Sequence, residues 1–261
     1  VDDYSSIAPY YEKILGRSLY PLRKNVRTFL LYHQHRHVID VCCGTGRQLE
    51  MLLGKGMKLV GVDSSIKMLQ QSQYADSIRF IEQSATTMDL PPQSFDAAIL
   101  SFSLHEKNSM DRDIILKKSW ELVREEGHLI IADYCRPPSS ILGYIFAKLC
   151  IPLIERAAGK EHYHNYKDWM QRGGLENYID TLEGRKDIIS HHFRGSVMLC
   201  SLQKESSDIK TLKAIQMNLQ RNCSQGTRSS HNQPGSRMTN TLHQSDRENI
   251  RHPASSYKHR G

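Results

Sequence analysis

The chain has 261 residues, 39% apolar and 24% charged, enough for one sizeable core with appendages. At a mean hydropathy of −0.53, with no run of 18 apolar residues, it holds no transmembrane helix. Its net charge of +7 divides into +2 over residues 1–204 (26 basic against 24 acidic side chains) and +5 over residues 205–261 (9 against 4), so the body is nearly neutral and gives no strong support for a nucleic-acid partner.

Six cysteines without Cys-x-x-Cys or Cys/His spacing read as reduced, mostly buried thiols in a cytoplasmic protein. Residues 1–36 read as a helical lid. Ala8-Pro9-Tyr10-Tyr11 opens one helix, Pro21 ends it, and a second runs Leu22–Tyr32. From His37 strands and helices alternate. Strand His37–Val41 precedes a helix Gln48–Leu53. Strand Lys58–Val62 precedes a helix capped by Ser64. Strands Ile78–Ile81 and Phe95–Ser101, a helix Arg112–Val123 and a strand His128–Asp133 follow. This alternation predicts an α/β fold with a parallel, doubly wound sheet.

Ile141–Ile154 is apolar nearly all round, which predicts a buried helix or the roof of an apolar pocket, with membrane-surface contact as the alternative. Glu161–Gly174 is dense in His and aromatic residues. Residues 139–184 thus read as a substrate-cover insertion. Strands Ile188–Phe193 and Ser196–Leu202 complete a seven-stranded sheet at residue 203. Residues 204–261 read as a basic, disordered tail with one weak amphipathic helix at Ser207–Leu219. The sequence sets no oligomeric state.

Four features fall at the carboxyl ends of successive strands, where open parallel sheets bind ligands. They are Asp40 with the turn Cys42–Gly46, Asp63, the pair Ser84-Ala85, and Ser101 through Glu106. Asp63 follows Gly46 at roughly the spacing of about 20 residues that suits an acid accepting from ribose hydroxyls.

The runs Val-Ile-Asp-Val-Cys-Cys-Gly-Thr-Gly, Val-Gly-Val-Asp-Ser-Ser, Ser-Phe-Asp-Ala-Ala-Ile-Leu-Ser and Gly-His-Leu-Ile-Ile-Ala-Asp resemble a class I S-adenosylmethionine-dependent methyltransferase. They are most similar to the branch of the ubiquinone and menaquinone C-methyltransferases, over residues 4–203. The resemblance implies a Rossmann-like sheet over residues 37–203 and S-adenosylmethionine as cofactor. It places Gly44, Thr45 and Gly46 near the methionine moiety, Asp40 toward its amino group, and Asp63 on the ribose. Ser64 and Met68 would lie alongside the adenosine, Ser84 and Ala85 at the adenine edge, and Ser101 at the methionine end. Cys42 stands where the family carries a glycine, so a positive φ there would be strained. Ser84 replaces an aspartate.

Methyl transfer is an in-line displacement in which the protein mainly positions and desolvates, with a base only if the acceptor carries a proton. His105 and Glu106, after the fourth strand, are the catalytic candidates. Tyr10, Tyr11, Tyr134, His162, Tyr163, His164 and Tyr166 are the candidates for the wall of a small, lipophilic, quinone-like acceptor's pocket. No metal site is expected, because no acid or cysteine lies at ligand spacing from the His pair. An oxidoreductase would want a third glycine where Leu49 stands. A binding module without turnover is the second rival.

Overall fold

A computed structural model describes residues 8–182 and 184–206, with side chains from residue 16 onward. The basic tail, the expected helix Ser207–Leu219, Cys223 and the side chains of Tyr10 and Tyr11 lie outside the described residues.

Seven strands form one sheet in the order β3-β2-β1-β4-β5-β7-β6. The strands are β1 (His37–Val41), β2 (Lys58–Asp63), β3 (Arg79–Glu82), β4 (Phe95–Ser101), β5 (Val123–Tyr134), β6 (Arg185–His192) and β7 (Val197–Gln203). Val38, Ile39, Val41, Ala97–Leu100 and Leu129–Ala132 are wholly or almost wholly buried on both sheet faces, as the near-continuous apolar runs of a covered parallel sheet require. The sheet is mixed, not wholly parallel: β7 runs antiparallel to both β5 and β6. Only Phe193–Ser196 joins β6 to β7, and four residues reverse a chain but cannot make the crossover of a dozen or more that parallel neighbours need.

Helix α1 (Ala8–Tyr32) is continuous through Pro21, correcting the expected break. Proline removes one intrahelical hydrogen bond, but Leu22, Val26 and Leu30 bury one stripe at four-residue spacing, and packing outweighs the loss. Asn25 Nδ2 donates to Ser190 Oγ at 3.0 Å, tying α1 to β6. After β1 and β2 come two short helices, α2 (Arg47–Glu50) and α3 (Ile66–Leu69). The cap of α3 is Ser65 and not Ser64: Ser65 Oγ accepts from Met68 N–H at 3.2 Å. Helix α4 (Ser109–Leu122) is capped by Asn108, earlier than the apolar pattern suggested.

The segment between β5 and β6 is helical: α5 (Ile141–Ile145), a π-helical turn Phe146–Cys150, α6 (Ile151–Ala158), α7 (Lys160–Gln171) and α8 (Gly174–Asp180). The expectation of a buried helix at Ile141–Ile154 is wrong. Ile141 is 78% and Leu153 68% exposed, and Leu142, Tyr144, Ile145, Leu149 and Ile154 are exposed too. An all-round apolar pattern cannot say which face packs, and here Gly143, Ala147 and Ile151, at four-residue spacing, are buried, with Phe146 packed partly against the core beside them. Cys150 is likewise exposed, against the expectation of buried thiols, whereas Cys135 and Cys200 are buried. No helix among the described residues is long and apolar enough to cross a membrane.

Candidate active site

The turn after β1 is built on left-handed backbone: Cys42, Gly44 and Gly46 have φ of 60°, 55° and 74°. At Gly46 a Cβ would lie 2.5 Å from the Phe80 ring, so both the conformation and the space demand glycine. Cys42 takes the same region with a side chain, as does Phe102 after β4 (φ 54°). Such strain, of order 1–3 kcal/mol per residue, collects where backbone must meet a ligand.

Asp63, ending β2, joins two loops. Its Oδ2 accepts from Gly44 N–H at 2.8 Å and its Oδ1 from Ser65 N–H at 2.9 Å. Burial raises the Asp63 pKa, against the pull of those two backbone donors. A cleft of about 450 Å³ opens there, lined by Cys42, Gly44, Asp63, Ser64, Met68, Ser84, Ala85 and Ser101, and beyond them by Phe102, Ser103, Glu106 and Lys107. That volume suits a small-molecule cofactor. Asp40 and Thr45 line a smaller cavity beneath, of about 60 Å³, with Arg23 and Gln48. Burial pushes the Asp40 pKa up to about 8, although the Arg23 guanidinium pulls the other way. Gly46 is turned away from the cleft, against Phe80.

Past Ser101 lies a hydrogen-bonded network that local sequence reasoning did not see whole. Asp133, fully buried at the end of β5, accepts at Oδ2 from Leu104 N–H (3.0 Å) and His105 N–H (3.3 Å), and at Oδ1 from Tyr134 N–H (2.7 Å). The same Oδ1 holds His105 Nδ1 at 2.7 Å, which turns Nε2 toward Glu155 Oε2, 3.4 Å away. Tyr134 Oη donates to Glu155 Oε1 at 2.7 Å. His162 Nε2 lies 3.4 Å from Glu155 Oε2 and 3.4 Å from Glu106 Oε2, its ring stacked on His105 at 5.6 Å. Burial disfavours a charged His105, but Asp133 and Glu155 outweigh it and raise its pKa to about 10.

Glu106 pairs with Lys107 at 2.8 Å and lines the cleft, while His105 is buried behind it. Tyr134 and Tyr166 are buried, their rings 5.4 Å apart, and Tyr163 stacks on Tyr166. His164 is exposed and does not join its expected partners. Two helical residues past His162, it faces about 200° away. Helix α7 is held to the body by Arg112, a buried cation that sequence inspection missed. It donates to Leu104 O (2.9 Å), Asn165 O (2.7 Å) and Asp168 Oδ2 (2.7 Å), linking the loop after β4 to α7.

A family profile described as "Methyltransferase domain" matches residues 38–127. The ubiquinone/menaquinone biosynthesis C-methyltransferase of Hahella chejuensis is 29% identical over 130 residues, covering 45% of this chain and 51% of that protein. Residues 38–127 thus carry a methyltransferase domain, and the chain is similar to S-adenosylmethionine-dependent methyltransferases. The demethylmenaquinone methyltransferase of Staphylococcus epidermidis is 26% identical over 209 residues, covering 72% of this chain and 84% of its own. A solved S-adenosylmethionine-dependent methyltransferase of Thermotoga maritima shares the fold at a TM-score of 0.55 and 18% identity, covering 78% of this chain and 99% of that one. This chain thus spans about half the length of the Hahella relative. Apart from its antiparallel β7, the sheet has the Rossmann-like α/β architecture that the resemblance implied.

Proposed function

We propose that this chain transfers the methyl group of S-adenosylmethionine to a small, lipophilic, quinone-like acceptor. The observation that carries the reading is Asp63. Its carboxylate is held by the N–H groups of Gly44 and Ser65, at the rim of a cleft of about 450 Å³. Each carboxylate oxygen keeps lone-pair capacity beyond those bonds, so Asp63 can accept from both hydroxyls of a ribose. Ser64 and Met68 then flank the adenosine, Ser84 and Ala85 its base, and Gly44, Thr45 and Asp40 the methionine end, with Gly46 shaping the turn from behind. The hydroxyl of Ser101, buried without a hydrogen-bond partner among the described residues, is a group awaiting a ligand there.

Bound S-adenosylmethionine supplies a methyl on a sulfonium sulfur, displaced in line by the acceptor's nucleophile. The chain's own residues orient and desolvate. Phe102, Tyr134, Tyr166 and Phe193 make an aromatic wall, with Phe102 6.0 Å from Tyr134 and 6.1 Å from Phe193. Glu106, which lines the cleft, is the group proposed to act on the acceptor, and His105 behind it is a positioning residue in the network with Asp133, Glu155 and His162. Helix α1 and residues 139–184 serve as cover.

A lipophilic acceptor is supported by the names of the two curated relatives and by the exposed apolar face of α5 and α6. Between residues 137 and 160 the exposed charges are Lys148, Arg156 and Lys160. The one acid, Glu155, is buried. An apolar helix flanked by cations fits the interface of an anionic membrane. Incubation with methyl-labelled cofactor and a quinone-containing lipid extract is expected to label a neutral lipid. Label confined to water-soluble products contradicts this acceptor class.

A further inference from the structure

Three side chains from three separate elements converge beside the cleft: His105 from the loop after β4, Glu155 from α6 and His162 from α7. Their candidate ligand atoms all lie within 4.8 Å of one another. The two bonds that support the cluster from behind are shorter than the separations inside it. The supporting bonds, His105 Nδ1 to Asp133 Oδ1 and Tyr134 Oη to Glu155 Oε1, are both 2.7 Å, the length of charge-assisted hydrogen bonds. The inner separations, from Glu155 Oε2 to His105 Nε2 and to His162 Nε2, are both 3.4 Å. That is long for such a bond. These two separations are close to the edge of a tetrahedron whose metal–ligand bonds are about 2.0–2.1 Å, and the third, between the two imidazoles, lies within 4.8 Å.

Charge points the same way. Asp133 and Glu155 are two buried carboxylates. The nearest buried guanidinium, Arg112, is engaged by Asp168 and two backbone carbonyls, and Lys107 pairs with Glu106. Buried carboxylates are costly unless paired or bound to a cation, and the place between these two is held by the His105 ring, either as its protonated form or as a metal ligand. The carboxylate–imidazole pair Asp133–His105 also has the form of an outer support that fixes a histidine's tautomer and frees its other nitrogen for a metal.

We infer that His105 Nε2, His162 Nε2 and Glu155 Oε2 form a binding site for a divalent transition-metal cation of the zinc type, with its fourth position toward Glu106 and the cleft. Two histidines and a carboxylate with one position left open is the donor set of a Lewis-acid site and not of a closed structural one. For its role the inference rests on the methyltransferase reading. A cation there binds the acceptor's oxygen and favours its deprotonated form. For its existence it rests on the cluster alone.

The test uses the full chain after treatment with a chelator. Titration with Co²⁺ alone is followed by visible absorption and with Zn²⁺ alone by calorimetry, beside a titration with S-adenosylhomocysteine. One site per chain with the intense spectrum of four-coordinate cobalt is expected. It should weaken at least about 100-fold in His162→Ala and Glu155→Gln, and about 10–100-fold in Asp133→Asn. His162 is only half-buried, so its variant keeps the test open if Glu155→Gln does not fold. Weak binding unchanged by the variants, or no binding, overturns the inference and leaves His105 holding a proton between two carboxylates. Metal binding without S-adenosylhomocysteine binding supports the site and overturns the methyltransferase reading. The reverse outcome overturns the site alone.

Discussion

Replacing Asp63 by alanine removes one carboxylate that serves three partners: the N–H groups of Gly44 and Ser65 and the ribose hydroxyls assigned to it. A hydrogen bond to a charged group is worth about 1.5–3 kcal/mol, so losing two toward the ribose costs about 3 kcal/mol or more. At about 1.4 kcal/mol per decade that is a Kd raised roughly 100-fold. The freed N–H groups face a cleft that water can enter, so the loss of fold stability should stay near about 1 kcal/mol. Asp63→Asn separates the two effects. Its amide keeps the size and one acceptor, but must turn its NH₂ toward either Gly44 or Ser65, and an intermediate loss of about tenfold is expected. Calorimetric titration with S-adenosylhomocysteine, alongside thermal melts, reads both quantities. Because burial raises the Asp63 pKa, wild-type affinity should also fall, on acidification, at a higher pH than an ordinary carboxylate would give. An Asp63→Ala protein that melts normally and binds within threefold of wild type refutes the ribose assignment.

Gly46→Ala places a methyl against Phe80 in a left-handed conformation, and should destabilise the fold by about 2–4 kcal/mol in urea unfolding; a loss under about 1 kcal/mol contradicts the turn geometry. Asp40 has a folded-state pKa of about 8, far above that of an exposed aspartate, so the folded chain binds its proton more tightly than the unfolded chain. Its contribution is complete below the unfolded pKa near 4 and is lost as pH rises toward 8. Asp40→Asn should therefore flatten the decline of Tm over that range without cofactor, and a steeper decline contradicts the burial argument. Leu149→Asp together with Leu153→Asp should abolish co-sedimentation with anionic phosphatidylglycerol vesicles and leave the melt unchanged, since both side chains are exposed. Vesicle binding that survives the pair contradicts the membrane-facing assignment.

Much of the fold was legible because strand burial writes itself locally. Val38–Val41 and Phe95–Leu100 are apolar runs closed by turn residues, and each ends where an acid or serine reaches the cleft. Those strand ends put Asp63, Ser84 and Ser101 on the cleft and Asp40 on the smaller cavity. Pro21 misled because a local rule met a packed stripe: Leu22, Val26 and Leu30 hold the helix across it. Ser64 and Ser65 are neighbours of equal capping propensity, and only the position of Asp63 decides between them. The cover was least legible. Arg112 reaches Asp168 over 56 residues, and Glu155 meets His105 from just past the end of the apolar run Ile141–Ile154. Neither pairing leaves a trace in local spacing, and for the same reason no acid was expected beside His162. Two positive-φ residues with side chains, Cys42 and Phe102, bracket the cleft. Of these, the first was marked by a cysteine standing at a glycine position, and the second by nothing in the sequence.

The central claim is that the carboxyl edge of this sheet holds S-adenosylmethionine. Calorimetric titration of the full chain with S-adenosylhomocysteine, and separately with NAD, tests it most directly. One site per chain for S-adenosylhomocysteine and no heat with NAD is the expected result. Saturable NAD binding, or a folded chain that binds neither, would contradict it.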